Sequence, residues 1–451
     1  MITGKHLIEA GFVGAKWFGQ ALQEINASNM NLQQAIVVAQ KYKDAQPVHL
    51  TMNSEAVPYH LNLDASTDYE ESNRTAVQEA MDAIMKLPTA LSGSVMPDGC
   101  PTGKYTIPVG GVYVADNVVH PAFHSADICC SMFLTEVKGA RHTTVLNKLH
   151  GVTHFGPGGR PKDERFFIHD DLKDRIHNHP LLKGNELAIQ RAFTNMGTQG
   201  DGNHFAYVGT RQSSGNVTIV THHGSRGFGA QVYKIGMRIA ENYRKQLAPN
   251  IDKKYAWIPM DTEDGKIYWS LLQLVREWTK LNHQLIHDAV VNELGLTVVD
   301  RFWNEHNFVF KDGNKYYHAK GATPLLDKFL PDEQGSLRIV PLNMAEPILL
   351  VKGEQTENNL GFAPHGAGRN ISRSEHKRNM EGLTVQEILE RETEGLDVRF
   401  FSGKPDISEL PSAYKNAAEI QRQMDSYGIA DVVDKILPYG CIMAGEIERQ
   451  W

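Results

Sequence analysis

Residues 216–229 read NVTIVTHHGSRGFG. The β-branched run through Thr221 has the composition of a strand. A long helix is expected from about 227 to 248. Between them lie His222, His223 and the turn Gly224-Ser225-Arg226-Gly227. An imidazole beside glycine at the edge of a strand is placed to meet side chains from distant segments, because turns over a rigid scaffold are where such groups converge.

Strand and helix signals alternate on either side of this stretch. Gly-rich turns separate short β-branched runs over about 89–135, among them TIPVGGVYVA (106–115), and short strands return between 307 and 352. Apolar residues recur at helical spacing over about 14–25, 31–43, 74–87 and 266–294, the third run ending at Leu87-Pro88. A polar, strand-poor stretch runs from Pro47 to about Asn73. At the end of the chain, AYKNAAEIQRQMDSYG (413–428) and IADVVDKIL (429–437) are expected to be two helices. The segment 1–45 reads as a helical module packed on a main domain, 46–451. Chemistry-bearing residues are scattered from 98 to 373, so a single interlocked catalytic domain is more economical than two.

Composition sets limits. The chain has 451 residues, 41% of them hydrophobic and 22% charged, as in ordinary globular proteins. A net charge of −7 excludes a generally nucleic-acid-attracting surface but allows a local basic groove. The four cysteines, Cys100, Cys129, Cys130 and Cys441, are too few for a disulfide framework and fit a reducing compartment. No basic-then-apolar leader opens the chain and no apolar run approaches a membrane span, so a cytoplasmic protein is expected.

The densest chemical signal is Asp127-Ile128-Cys129-Cys130. A carboxylate three residues before a thiol can serve one metal or bridge two. Taken alone, a buried cysteine pair in a core strand is the commoner meaning, and a vicinal disulfide is a rarer one. Four histidines add to the signal: His204 in GTQGDGNHF, His222, His306 in NEHN and His365 in APHGAGR, each beside Gly or Asn in a turn. Imidazole and thiolate with a carboxylate suit manganese or zinc better than magnesium or calcium. Gly224-Ser225-Arg226-Gly227 and Gly366-Ala367-Gly368-Arg369 each set an arginine beside glycines, which suits phosphate, and Arg373, His376, Lys377 and Arg378 extend the cationic run. A solvated, salt-bridged helix start is the alternative for the last of these.

In order along the chain, DGCPTGKYTIPVGGV, ADICC, GTQGDGNHF, HHGSRGFGAQV, HNFVF, HAKGATP, HGAGRNISR, ELPSAYK and PYGCIMAG resemble the signatures of RtcB-type RNA-splicing ligases over roughly 350 residues. The resemblance implies a mixed α/β fold of packed β-sheets flanked by helices. It also implies joining of RNA 2′,3′-cyclic phosphate or 3′-phosphate ends to 5′-hydroxyl ends, with two Mn2+ ions and GTP, through a covalent histidine–GMP intermediate. Transfer RNA halves and other cleaved RNAs present such ends, and an RNA-repair partner protein is conceivable; no membrane is involved. Position by position it implies Asp127, Cys130, His204, His222 and His306 as metal ligands, with Cys130 bridging, and His365 as nucleophile. Asn203, His365, Gly366, Ala367, Gly368, Arg369 and Tyr414 would face the nucleotide; Arg226 and Arg373 would face RNA phosphate.

The sequence departs from the family in places. Asp98-Gly99-Cys100-Pro101 lacks the usual Val-His-Gln, and Cys129 replaces asparagine. Ala206-Tyr207 stands where the family has a guanine-reading glutamate, and Ala444 where it has a base-contacting lysine. PLNMAEPILL (341–350) lacks the family's phosphate and base contacts. Altered nucleotide choice is therefore expected. Competing readings are a metal-dependent cyclic phosphodiesterase, which needs no His365, and a non-catalytic RNA-repair subunit.

Overall fold

The computed structural model describes residues 1–44, 49–103 and 106–447. The domain boundary expected at 45/46, Pro47, and Lys104-Tyr105 of the early loop lie outside the described residues. The chain divides into Met1–Thr51 with Arg244–Asn250, and Met52–Tyr243 with Ile251–Trp451. In the first unit, helices Gly4–Glu9, Phe18–Ala27 and Leu32–Asp44 enclose a core of Leu7, Phe12, Trp17, Phe18, Ala21, Ile25, Ala35 and Ala39.

The second unit is mixed α/β. One sheet runs in the order Tyr59–Leu61, Ala90–Cys100, Val109–Asp116, Lys315–Lys320 and Asn307–Asp312. The larger sheet runs Arg338–Val340, Ile348–Lys352, Asp431–Met443, Phe205–Arg211, Val217–His223, Ser131–Lys138 and Thr297–Glu305, with Asp397–Phe400 pairing off Asp431–Met443. Its last four strands are antiparallel neighbours, in the register Phe205↔His222, Ser131↔His223 and Ser131↔Glu305. Two of them begin and two end at the same edge of the sheet. At the opposite edge Arg211 ties three strands, with Nη1 donating to Glu136 and Asp300 at 2.7 Å each and Nε to Asp434 at 2.8 Å.

A 32-residue helix, Glu263–Leu294, packs across this sheet. Thr262 caps its start by accepting from Gly265 N at 3.1 Å, and Gly295, at φ 61°, stops it in the left-handed region that glycine tolerates. Its inward stripe carries Leu271, Val275, Trp278 and Ile286, together with His283 and His287. Both imidazoles bond to Thr221 Oγ1, at 2.7 and 2.9 Å, so the polar side of the strand is satisfied by the helix.

Three sequence expectations change. IADVVDKIL is not a helix: Asp431–Met443 is a strand, paired on one side with Ile348–Lys352 and on the other with Phe205–Arg211. Its β-branched Val432 and Val433, and Pro438 further on, suit extended backbone better than a helix interior. The stretch before Asn73 contains strand Tyr59–Leu61, and its helix starts at Asp68, where Thr67 accepts from Glu70 N. No described helix is long and apolar enough to cross a membrane.

Leu134 is fully buried in the sheet core. Leu134→Ala is expected to destabilise the protein by about 2–5 kcal/mol, seen as a lower urea midpoint.

Candidate metal centre and cavity

The shared edge of the four strands gathers the site. Cys130 immediately precedes Ser131–Lys138, His204 precedes Phe205–Arg211, His222 is the penultimate residue of Val217–His223, and His306 follows Thr297–Glu305. Strand alternation turns His222 to one face and its neighbours Thr221 and His223 to the helix side. Cys130 Sγ lies 3.4 Å from His204 Nε2 and 3.2 Å from His222 Nε2. His222 Nε2 is 3.3 Å from His306 Nε2, and His204 Nε2 is 3.2 Å from Asp127 Oδ2.

The donors form two trios that share the thiol: Asp127, Cys130 and His204, and Cys130, His222 and His306. Each trio can hold one ion, with Cys130 common to both. The outer contacts agree with ligation. His204 Nδ1 pairs with Gln199 O at 2.8 Å and His222 Nδ1 with Asn203 O at 3.0 Å, which leaves both Nε2 lone pairs for metal. A Cβ on Gly224 would lie 2.0 Å from Asp127 Oδ1, so only glycine lets that carboxylate in.

Electrostatics point the same way. Burial, then the charge of His204, pushes His222 down to about 3, and burial drives His306 well below its ordinary value. Neutral imidazoles are the ligand form. Burial pushes the Asp127 carboxyl up, but the neighbouring His204 ring and the charge of Arg226 outweigh it and hold it well below the usual range. Burial and the Asp127 charge push the Cys130 thiol well up, so metal capture and loss of its proton are coupled.

His365 follows the short strand Phe362–Pro364, its ring 4.8 Å from that of His306. Fully buried Asp98 orients it: Oδ2 lies 2.6 Å from His365 Nδ1 and 3.1 Å from its backbone N. Nδ1 therefore carries the proton and Nε2 keeps its lone pair. The ring borders a cavity of about 730 Å3 lined also by Asn203, Gly366, Ala367, Gly368, Arg369, Arg373 and Tyr414.

Arg226 stands apart from these, by the metal set rather than in the cavity wall. Its φ is 55° and its Nη1 is 3.4 Å from His204 Nδ1. Arg369 and Arg373 are not bare cations. Buried Glu409 accepts from Arg369 Nη1 at 3.2 Å, Arg373 Nε at 2.6 Å and the Tyr414 hydroxyl at 2.6 Å.

Sequence reasoning placed Gly224 in a phosphate-binding turn rather than beside Asp127, and gave no specific role to Asp98 or Glu409. Asp98 and Glu409 lie inside motifs quoted above, and the only available signal was that a nucleophilic histidine and a cluster of arginines each call for a carboxylate.

A model of the family described as tRNA-splicing ligase RtcB matches residues 161–444, downstream of Asp98, Asp127 and Cys130. The tRNA-splicing ligase RtcB of Nanoarchaeum equitans is 26% identical over 423 residues, covering 77% of this chain and 87% of the relative. That of Archaeoglobus fulgidus is 27% identical over 440 residues, covering 81% and 90%. The Pyrococcus abyssi protein of the same name is 28% identical over 295 residues, covering 56% of this chain, which spans only 32% of that relative's length.

Cobalt titration tests the cage. The unaltered protein should develop a thiolate-to-cobalt absorption band that Cys130→Ser abolishes, and Gly224→Ala should weaken cobalt affinity by at least about tenfold with the far-ultraviolet circular dichroism unchanged.

Proposed function

The chain belongs to the RtcB family, and from that premise we propose that it is an RNA ligase that joins 2′,3′-cyclic phosphate or 3′-phosphate ends to 5′-hydroxyl ends. The observation that carries the reading is His365. Its Nδ1 is held by Asp98 at 2.6 Å, and its ring stands 4.8 Å from a metal-ligand histidine at the rim of a cavity large enough for a nucleotide.

The donor set fits two manganese ions, one in Asp127, Cys130 and His204 and the other in Cys130, His222 and His306. When bound, they supply Lewis-acid charge to phosphate oxygens. His365 Nε2 attacks the α-phosphorus of GTP, the bond to the β-phosphate oxygen breaks, and pyrophosphate leaves. Asp98 stabilises the positive charge that grows on the ring, as a carboxylate does behind a nucleophilic or basic histidine. An RNA 3′-phosphate oxygen then takes the GMP from Nε2, and the 5′-hydroxyl, losing its proton to solvent, attacks the activated 3′-phosphorus with GMP as leaving group. Water opens a 2′,3′-cyclic end beforehand.

Asn203, Gly366, Ala367 and Gly368 border the nucleotide, with Tyr414 against its base or sugar. Arg226, beside the metals, meets the RNA phosphate with Arg373, whose Nη nitrogens Glu409 does not engage; Arg369, with Nε, Nη1 and Nη2 donating to Ile371 O, Glu409 and Ser408 O, holds the turn that faces the nucleotide. The assigned compartment is the cytoplasm.

Incubation with manganese and α-labelled GTP, followed by mapping of the modified residue, tests this. Label is expected on His365. His365→Ala should abolish label and end joining, and Asp98→Asn should slow labelling by roughly 100-fold or more. Joining that persists in His365→Ala would remove the ligase mechanism, and surviving cyclic-phosphate opening without joining in the unaltered protein would favour a phosphodiesterase.

A further inference from the structure

One wall of the cavity is apolar, and strand register makes it so. Phe205 faces Met443 and Tyr207 faces Cys441 across adjacent antiparallel strands, and all four line the cavity with Met344 and Ile348. The intervening residues, Ala206, Ile442 and Ala444, point to the opposite face, into a separate core with Val137 and Leu146. The polar atom of Tyr207 is turned away and donates to Ile436 O at 3.2 Å. Behind this wall Leu134, Leu350 and Ile436 are fully buried, so it is fixed rather than pliable.

The remaining lining offers little that could tell one purine from another. Glu409 is the only carboxylate among the described lining residues, and its two oxygens are taken by Arg373 on one side and by Arg369 and Tyr414 on the other. No lysine is among them. Asn343 Oδ1 already accepts from Ala345 N and Glu346 N, at 3.0 and 3.1 Å, and Asn73 Nδ2 donates to Asn370 O at 2.8 Å. Asn370 Oδ1 is buried without a partner, but a lone acceptor serves the 6-amino group of adenine as well as N1–H or the 2-amino group of guanine. A carboxylate is the acceptor that takes two adjacent guanine donors at once, and no uncommitted carboxylate stands among the described lining residues.

We propose that this cavity holds its base by stacking and shape, and takes adenine and guanine nucleotides with comparable affinity. Tyr207, Met344 and Met443 are the residues that determine this. The proposal rests on the reading of the cavity as a nucleotide site. Sites that discriminate by hydrogen bonds reject the wrong group by about 10⁴-fold or more, whereas apolar pockets separate similar ligands by only about 10–200-fold.

The test is calorimetric binding of GMP, IMP and AMP to the unaltered protein with manganese, since monophosphates carry no pyrophosphate to lose. Dissociation constants within about tenfold of one another are expected. A GMP preference above tenfold, or no binding of any of the three at millimolar concentration, overturns the proposal. Labelling from α-labelled GTP and ATP is run in parallel. Equal binding with no covalent label leaves the base proposal standing and removes the histidine intermediate; label from GTP alone with a matching GMP preference does the reverse. Tyr207→Glu should raise the GMP preference above tenfold, and the unaltered-protein series decides the matter even where that variant does not fold.

Discussion

The centre depends on four neighbouring strands reaching one edge of a sheet together. In antiparallel pairing a residue just before one strand and a residue at the end of the next become neighbours, and the register fixes which. Here the register brings His204, His222, Cys130 and His306 into a row across that edge, although they come from widely separated segments. A one-residue slip would turn His222 toward the helix and bring His223 to the site. The hydrogen bonds of His283 and His287 to Thr221 hold the strand against that slip, because a shifted strand would leave buried imidazoles unpaired.

The same rule of alternation separates the candidate metal centre from the apolar wall of the cavity. Phe205 and Tyr207 look into the cavity, whereas Ala206 and Val208 look into hydrocarbon. The strand edge at Cys130, His204 and His222 is accordingly rich in buried donors, while the wall beside it is a continuation of the core. Polar groups at the cavity mouth are largely used up in holding one another: Glu409 binds two guanidinium groups and a phenol at once. Such a cluster fixes the Gly366–Arg369 turn and, with two guanidinium groups to one carboxylate, keeps a net positive charge there.

Much of the site was legible because its residues stand in turns whose composition betrays them: Asn203-His204 in a glycine loop, His222 before Gly224, and His365 before Gly366. Cys129-Cys130 was legible as a pair, and it was the family resemblance that picked out Cys130; the local pattern alone could not, since the choice depends on Cys129 adopting φ 56° and burying itself in the core. Asp98 was invisible as a partner of His365, a contact between residues 267 positions apart that no local pattern encodes. Residues 206–207 and 444 were flagged for base contact, but sequence gives no register. In the fold Tyr207 and Met443 face the cavity, whereas Ala206 and Ala444 do not. The closing strand was misread as a helix because it gains its pairing from two distant partners, and tertiary context overrides weak local preference.

The spread of the donors along the chain also bears on how the protein is made. Synthesis proceeds from the amino terminus, so a growing chain carries Asp127 and Cys130 long before His306 leaves the ribosome. Neither trio can close in any fragment that lacks its strand partners. Incomplete chains thus lack both complete donor sets, and an ion bound at these sets would be captured only once their strands have paired.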